Sequence, residues 1–276
     1  MTNKLNIYGK NYTSQHGEDG IIEYILSKCE VPKVCVDIGA WDGRNLSNVY
    51  TLWHDKGWHG ILVEAEKSRE ANIKKEYNGF NITSFNALIE VKGNNSIDDL
   101  FIKNNLPRDV GVLSIDIDSY DYYVWKYLNF VNPSIVIIEH NHTIPAYIDY
   151  RDPEGEVFLR CSAKALEFLA AEKGYKLVCC TLTNSIFIKN NMFSPEAFPD
   201  MNAEGLFDYS SCAGLRLSGF TGRSISNYAD VYFGSLARRD RIISKMRKLV
   251  FLLLGRKIRI PENVKEACSS AGITII

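Results

Sequence analysis

Apolar runs of strand length alternate with stretches of helical periodicity from Lys33 to Lys189, and this alternation constrains the fold more than any other feature of the chain. The runs are Lys33 to Asp37, Gly60 to Glu64, Asn81 to Asn86, Asp109 to Asp116 and Ser134 to Glu139. The last, Ser-Ile-Val-Ile-Ile-Glu, is nearly all apolar, as a strand covered on both faces should be. Helices are predicted over Gly17 to Cys29, Asn45 to His54, Ser68 to Tyr77, from Ser96 onward, Tyr120 to Leu128 and Ser162 to Lys173. Ser96 is placed for a capping box with Asp99, and Gly57 and Gly174 are placed to end the helices before them. Lys176 to Thr181 and Ser185 to Lys189, separated by a short Thr/Asn turn, then read as an antiparallel hairpin. The pattern predicts an α/β protein whose sheet is doubly wound, mostly parallel and seven-stranded, closed by a terminal antiparallel hairpin and joined by right-handed crossovers.

A chain of 276 residues holds one large domain of this kind plus an extension. We expect the domain over residues 1–190 and a C-terminal extension over 191–276. With 46% hydrophobic and 24% charged residues the chain is neither disordered nor fibrous. A net charge of −1 gives no global attraction for nucleic acid, and none is expected as a partner. The seven cysteines are scattered, without a C-x-x-C spacing, so they read as reduced thiols. No apolar signal core and no membrane-length apolar run occurs, and the expected location is cytoplasmic. Residues 238–257 combine Arg238, Arg239, Arg241, Arg247 and Lys248 with the run Leu249 to Leu254. Such a basic amphipathic segment suits peripheral contact with the inner face of a membrane, packing on its own domain, or a homodimer contact.

In open α/β sheets ligands bind beyond the carboxyl ends of the strands. Here the first strand ends in Asp37, the second in Glu64, the third in Asn86, the fourth in Asp116 and the fifth in Glu139. Carboxylates clustered at strand ends repel one another unless cationic or hydroxylated ligands use them. S-adenosylmethionine offers an ammonium, a sulfonium and a ribose diol. Gly39 and Gly43 allow a tight turn beside it, Asp37 orients that turn, Glu64 suits the ribose and Asn86 an adenine edge. A dinucleotide site is disfavoured: G-x-G-x-x-G is absent, and Trp41 would crowd a pyrophosphate.

Several segments resemble the FkbM-like methyltransferase family in order and spacing over roughly residues 12–140. They are Ser14-Gln15-His16-Gly17-Glu18-Asp19, Val36-Asp37-Ile38-Gly39-Ala40 with Gly43, Ser47-Asn48, Gly57-Trp58 with Gly60, and Ile115-Asp116-Ile117-Asp118 with Asp121. The resemblance implies a Rossmann-like class I methyltransferase domain and O-methylation of a sugar or related hydroxyl. It also implies that Gln15, Glu18, Asp37, Asp42, Asn48, Glu64 and Asn86 line the cofactor side. The chain departs from the family where a lysine and D-x-E-G are common, having Ser114 and Asp116-Ile117-Asp118-Ser119 instead.

Methyl transfer to a hydroxyl needs the acceptor oxygen held near the methyl group and its proton removed. His140, just past the fifth strand, and Asp118 are the candidate bases, with Asp116 beside them. Asp116, Asp118 and Glu139 also form a hard oxygen set of the kind that takes Mg²⁺. The connection from His140 to Cys161 is long enough to cover a substrate, and within it Pro145 to Arg151 is the expected acceptor loop. The rival expectations are a non-catalytic cofactor-binding or scaffold protein of the same fold and an NAD-dependent oxidoreductase.

Overall fold

The computed structural model describes residues 4–209 and two further short strands, 216–218 and 224–226. Its helices are α1 (Glu18–Leu26), α2 (Tyr50–His54), α3 (Lys67–Glu76), α4 (Ile97–Lys103), α5 (Asp121–Tyr127), α6 (Ala163–Glu172) and α7 (Ala203–Leu206). The strands are β1 (Val34–Ile38), β2 (His59–Glu64), β3 (Ile82–Asn86), β4 (Asp109–Ile115), β5 (Asn132–Glu139), β6 (Tyr175–Cys180) and β7 (Asn184–Lys189). β8 (Arg216–Ser218) and β9 (Ser224–Ser226) pair as a separate antiparallel ribbon.

The main sheet has the order β3-β2-β1-β4-β5-β7-β6. The first five strands are parallel, whereas β7 runs antiparallel to both β5 and β6. This is the doubly wound, mostly parallel, Rossmann-like sheet with a terminal hairpin that the alternation predicts. The winding reverses between β1 and β4, and a crevice opens there at the strands' carboxyl ends.

Period-two alternation divides each central strand between two cores. Val36, Ile38, Val136 and Ile138 face one, together with Phe101, Trp125 and Leu166 from α4, α5 and α6. Cys35, Ile135 and Ile137 face the other, with Ile21 and Ile25 of α1, Trp53 of α2 and Ile73 of α3. Ser96 and Ser162 cap α4 and α6 by accepting the N–H of Asp99 and Ala165.

The helix expected from Asn45 begins only at Tyr50. Asp42 instead takes the N–H groups of Arg44 and Asn45 in a turn, and Leu46 is left-handed at φ 62°. The expected boundary at 190 is not where packing ends, because Phe198, Ala203, Leu206 and Phe207 are buried in the same two cores. Among the described residues no helix is long and apolar enough to cross a membrane. The basic segment 238–257 lies outside the described residues.

Candidate functional site

A cavity of about 630 Å³ opens at the carboxyl ends of β1, β2, β4 and β5, within the usual range for small-molecule sites. Of the expected residues, Gln15, Asp37, Gly39, Asn48, Glu64, Asp116, Asp118 and Glu139 stand on its wall. Gly39 sets the floor. It sits at φ 90°, and a Cβ there would lie 1.8 Å from the Asp116 carbonyl oxygen. Its N–H and that of Ala40 both donate to the Val63 carbonyl at 3.0 Å, tying the turn to β2. A side chain at 39 would therefore separate the ends of β1 and β4.

Glu64 is only 7% exposed, yet its carboxylate meets the cavity. Oε2 accepts the Trp41 N–H at 2.8 Å and Oε1 the Glu66 N–H at 2.8 Å. Each carboxylate oxygen has two lone-pair sites, so one on each remains for a ligand. Two adjacent acceptors on a fixed plane match a pair of vicinal hydroxyls. Asp37 is buried beside them and accepts the Ser47 hydroxyl at 2.7 Å, fastening the 42–48 turn to β1. Burial pushes its carboxyl up to about 6, against the hydrogen bond from Ser47. Asn48 donates to Ser114 Oγ at 3.1 Å, joining the same turn to β4.

Carboxylate oxygens of Asp116, Asp118 and Glu139 all lie within 4.8 Å of one another. Burial and then the Asp116 charge push Glu139 up to about 9, while Arg160 opposes the shift. Asp116 is raised by burial and then by Asp118. This wall favours a bound cation or a retained proton. It already has one cation, because the Arg160 guanidinium donates to Glu139 and, at 3.1 Å, to Asp118. The expected Mg²⁺ set is thus engaged by a side chain of the chain itself.

Arg160 was not among the expected residues, since it lies 42 residues beyond Asp118 in a connection with no strand or helix of its own. Its local signal is Asp152, whose buried carboxylate accepts the N–H groups of Phe158, Leu159 and Arg160 and the Tyr150 hydroxyl. Burial works against ionisation of Asp152, but these hydrogen bonds hold its carboxyl below the ordinary value. They also hold Arg160 left-handed at φ 65°, a conformation costing about 1–2 kcal/mol for a residue with a Cβ. Asp118 is left-handed too, at φ 57°, with Asp121 accepting the N–H of Ile117 and Ser119 on either side of it.

Five expected site residues are not on the wall. Glu18 is buried and accepts the His16 N–H, the Thr181 hydroxyl and the Asn184 amide, which ties α1 to the β6–β7 hairpin. Asp42 serves the turn after Gly39, and Gly43 packs toward Tyr77. Asn86 donates its amide to the Glu64 and Ala65 carbonyls, and the segment 87–91 behind it forms the wall instead. His140 is fully buried, pairs through Nδ1 with Ser185 Oγ at 3.0 Å and packs against Phe207. Burial depresses its imidazole to about 3. A general base must reach the acceptor, and the buried His140 does not line the cavity, whereas Asp118 does.

The 140–161 connection supplies no residue to the wall, so the expected substrate cover lies beside the cavity. The expected acceptor loop places Tyr147 against Tyr209 with ring centroids 6.5 Å apart. Trp41, Leu46 and Leu88 supply large exposed apolar surface at the mouth. The Arg69 guanidinium lies 4.8 Å from the centroid of the Trp41 ring. Of these mouth residues the sequence singles out only Trp41, as a bar to a pyrophosphate.

No protein-family profile and no curated protein matches the chain. Among solved structures, the CMeT domain of the citrinin polyketide synthase is 8% identical, with a TM-score of 0.41, over 62% of this chain and 50% of that one. The chain thus spans about half of that neighbour's length. An S-adenosylmethionine-dependent methyltransferase from Aquifex aeolicus is 12% identical, with a TM-score of 0.37, over 62% of this chain and 88% of the other. One from Clostridium acetobutylicum ATCC 824 is 10% identical, with a TM-score of 0.38, over 62% and 90%. Likeness at this level leaves the functional reading to the residues of the cavity.

Proposed function

We propose that the chain is an S-adenosylmethionine-dependent O-methyltransferase acting on a hydroxyl of a sugar, whether in a glycan, a nucleotide sugar or a glycosylated natural product. The observation that carries the cofactor reading is Glu64, held by two backbone N–H groups with one acceptor site left on each oxygen at the cavity wall. Around it the residues present fit the cofactor's parts. Gly39 lets the chain backbone approach the ligand, and the Asp116 carboxyl group on the same wall offers oxygen acceptors to an ammonium. The cofactor, when bound, supplies an electrophilic methyl group.

The chain's own work is then to place an acceptor oxygen and take its proton. Asp118 is the carboxylate in reach, with its side chain 89% exposed on the cavity wall and its Oδ1 oriented by Arg160. Proton removal by a positioned base contributes roughly 10²- to 10⁴-fold. The sugar hydroxyl comes from the FkbM-like resemblance, and the half-exposed Trp41 side chain at the mouth, beside Arg69, supports it as apolar surface for a sugar ring.

Calorimetry with S-adenosylhomocysteine and with NAD tests the cofactor reading, and transfer of labelled methyl to a panel of sugars, nucleotide sugars and glycosides tests the acceptor. Binding of S-adenosylhomocysteine that is lost in Glu64→Ala is expected. Binding of NAD alone would refute the proposal. Cofactor binding without transfer to any hydroxyl acceptor would favour the non-catalytic alternative.

A further inference from the structure

Asp116, Asp118 and Glu139 bring three carboxyl groups together on the cavity wall, and the chain brings a cation to two of them. Arg160 donates one guanidinium nitrogen to both Glu139 and Asp118, yet it is not itself on the cavity wall. Its backbone is fixed at both ends. The N–H donates to Asp152 at 2.6 Å, and the carbonyl accepts the Asp152 N–H at 2.8 Å. The neighbouring Leu159 carbonyl accepts the Asn141 amide at 2.9 Å, and the Cys161 carbonyl accepts the Asn141 N–H at 2.8 Å. These bonds anchor the guanidinium to the segment that leaves β5. A flexible surface arginine has no such anchorage, and it gains little from a single exposed ion pair.

We infer that Arg160 is a tethered cation standing in the place of a divalent metal ion: it holds Glu139 and Asp118 in register and offsets their charge, so the site needs no metal there. A hard divalent ion coordinated by three carboxylates would hold the oxygens and balance their charge. The guanidinium does both for Glu139 and Asp118 through hydrogen bonds from a single nitrogen, is always charged, and cannot be chelated away. Arg160 is accordingly a positioning residue, acting on the cavity through Asp118 and Glu139. The inference does not depend on which small molecule the cavity takes.

The test is Mn²⁺ binding to the full chain, followed by electron paramagnetic resonance, alongside thermal melts that confirm folding. Wild type and Arg160→Lys are expected to show no saturable site. Arg160→Gln is expected to show a saturable Mn²⁺ site, about 10-fold or more tighter than any residual binding by wild type, because a unit positive charge has left a carboxylate cluster. Adding Asp118→Asn to Arg160→Gln should remove that gain. A folded Arg160→Gln that binds no Mn²⁺ overturns the inference. So does saturable binding by wild type that is lost in Glu139→Gln, a result that is decisive even if Arg160→Gln does not fold. Because the readout is the metal signal, cofactor binding can fail or succeed independently.

Discussion

Replacing Gly39 by alanine should damage this protein far more than a methyl group normally does. Gly39 is at φ 90°, where a Cβ costs about 1–2 kcal/mol by itself. The new atom would also fall 1.8 Å from the Asp116 carbonyl oxygen, which is backbone and cannot rotate aside. Nor can the strand ends part freely, because the Asp116 N–H is bonded to the Ile38 carbonyl at 3.0 Å. Overpacking of this sort costs about 1–3 kcal/mol, giving a total of about 2–5 kcal/mol. At about 2–4 °C per kcal/mol for a domain of this size, the melting temperature should fall by roughly 5–20 °C. Gly57→Ala is the matched control: it too has positive φ, at 69°, but nothing lies within 4 Å of the added Cβ. It should lose only the conformational part. Differential scanning calorimetry of the three proteins, with titration of S-adenosylhomocysteine, measures both effects. If Gly39→Ala melts no lower than Gly57→Ala and binds ligand as wild type does, the close approach at Asp116 is not what the cavity floor rests on.

Asp37 and Asp121 are both buried with carboxyls pushed up by burial to about 6, from an ordinary value of 3.8. Each binds its proton more tightly folded than unfolded, so its stabilising contribution is full below 3.8 and is lost as pH rises through about 6. Urea midpoints should show this fall, and Asp37→Asn should flatten it; an unchanged slope in that variant would contradict the assignment. Asp152→Asn removes an acceptor oxygen from a carboxylate that takes several N–H groups, and should cost about 1–3 kcal/mol and expose 153–160 to limited proteolysis. His140→Gln should leave the proposed methyl transfer within a few-fold of wild type in a folded protein, since the imidazole is buried and does not line the cavity. A loss of about 10²-fold or more in kcat, with stability retained, would return the general-base role to it.

The elements of this fold were legible because their signals are local. The short apolar runs of β1 and β5, the serine caps at Ser96 and Ser162, and the turn residues each act within a few positions of one another. The acidic strand ends followed from the same reading, since a parallel sheet delivers every carboxyl end to one edge. Whether a residue beyond a strand end faces the cavity depends on partners far away in sequence. Asn86 turns to the Ala65 carbonyl and His140 to Ser185, and Glu18 crosses to Asn184, so none of them reaches the ligand space.

The sequence by itself determined the sheet, its terminal hairpin and the acids at its carboxyl edge, because periodicity and strand ends are written in adjacent residues. Only the tertiary structure decided which acids are available and what balances them. Arg160 meets Asp118 across 42 positions, through a connection whose course is set by one buried carboxylate at Asp152. No periodicity encodes such a meeting, since it depends on where the backbone hydrogen bonds of an irregular segment are satisfied.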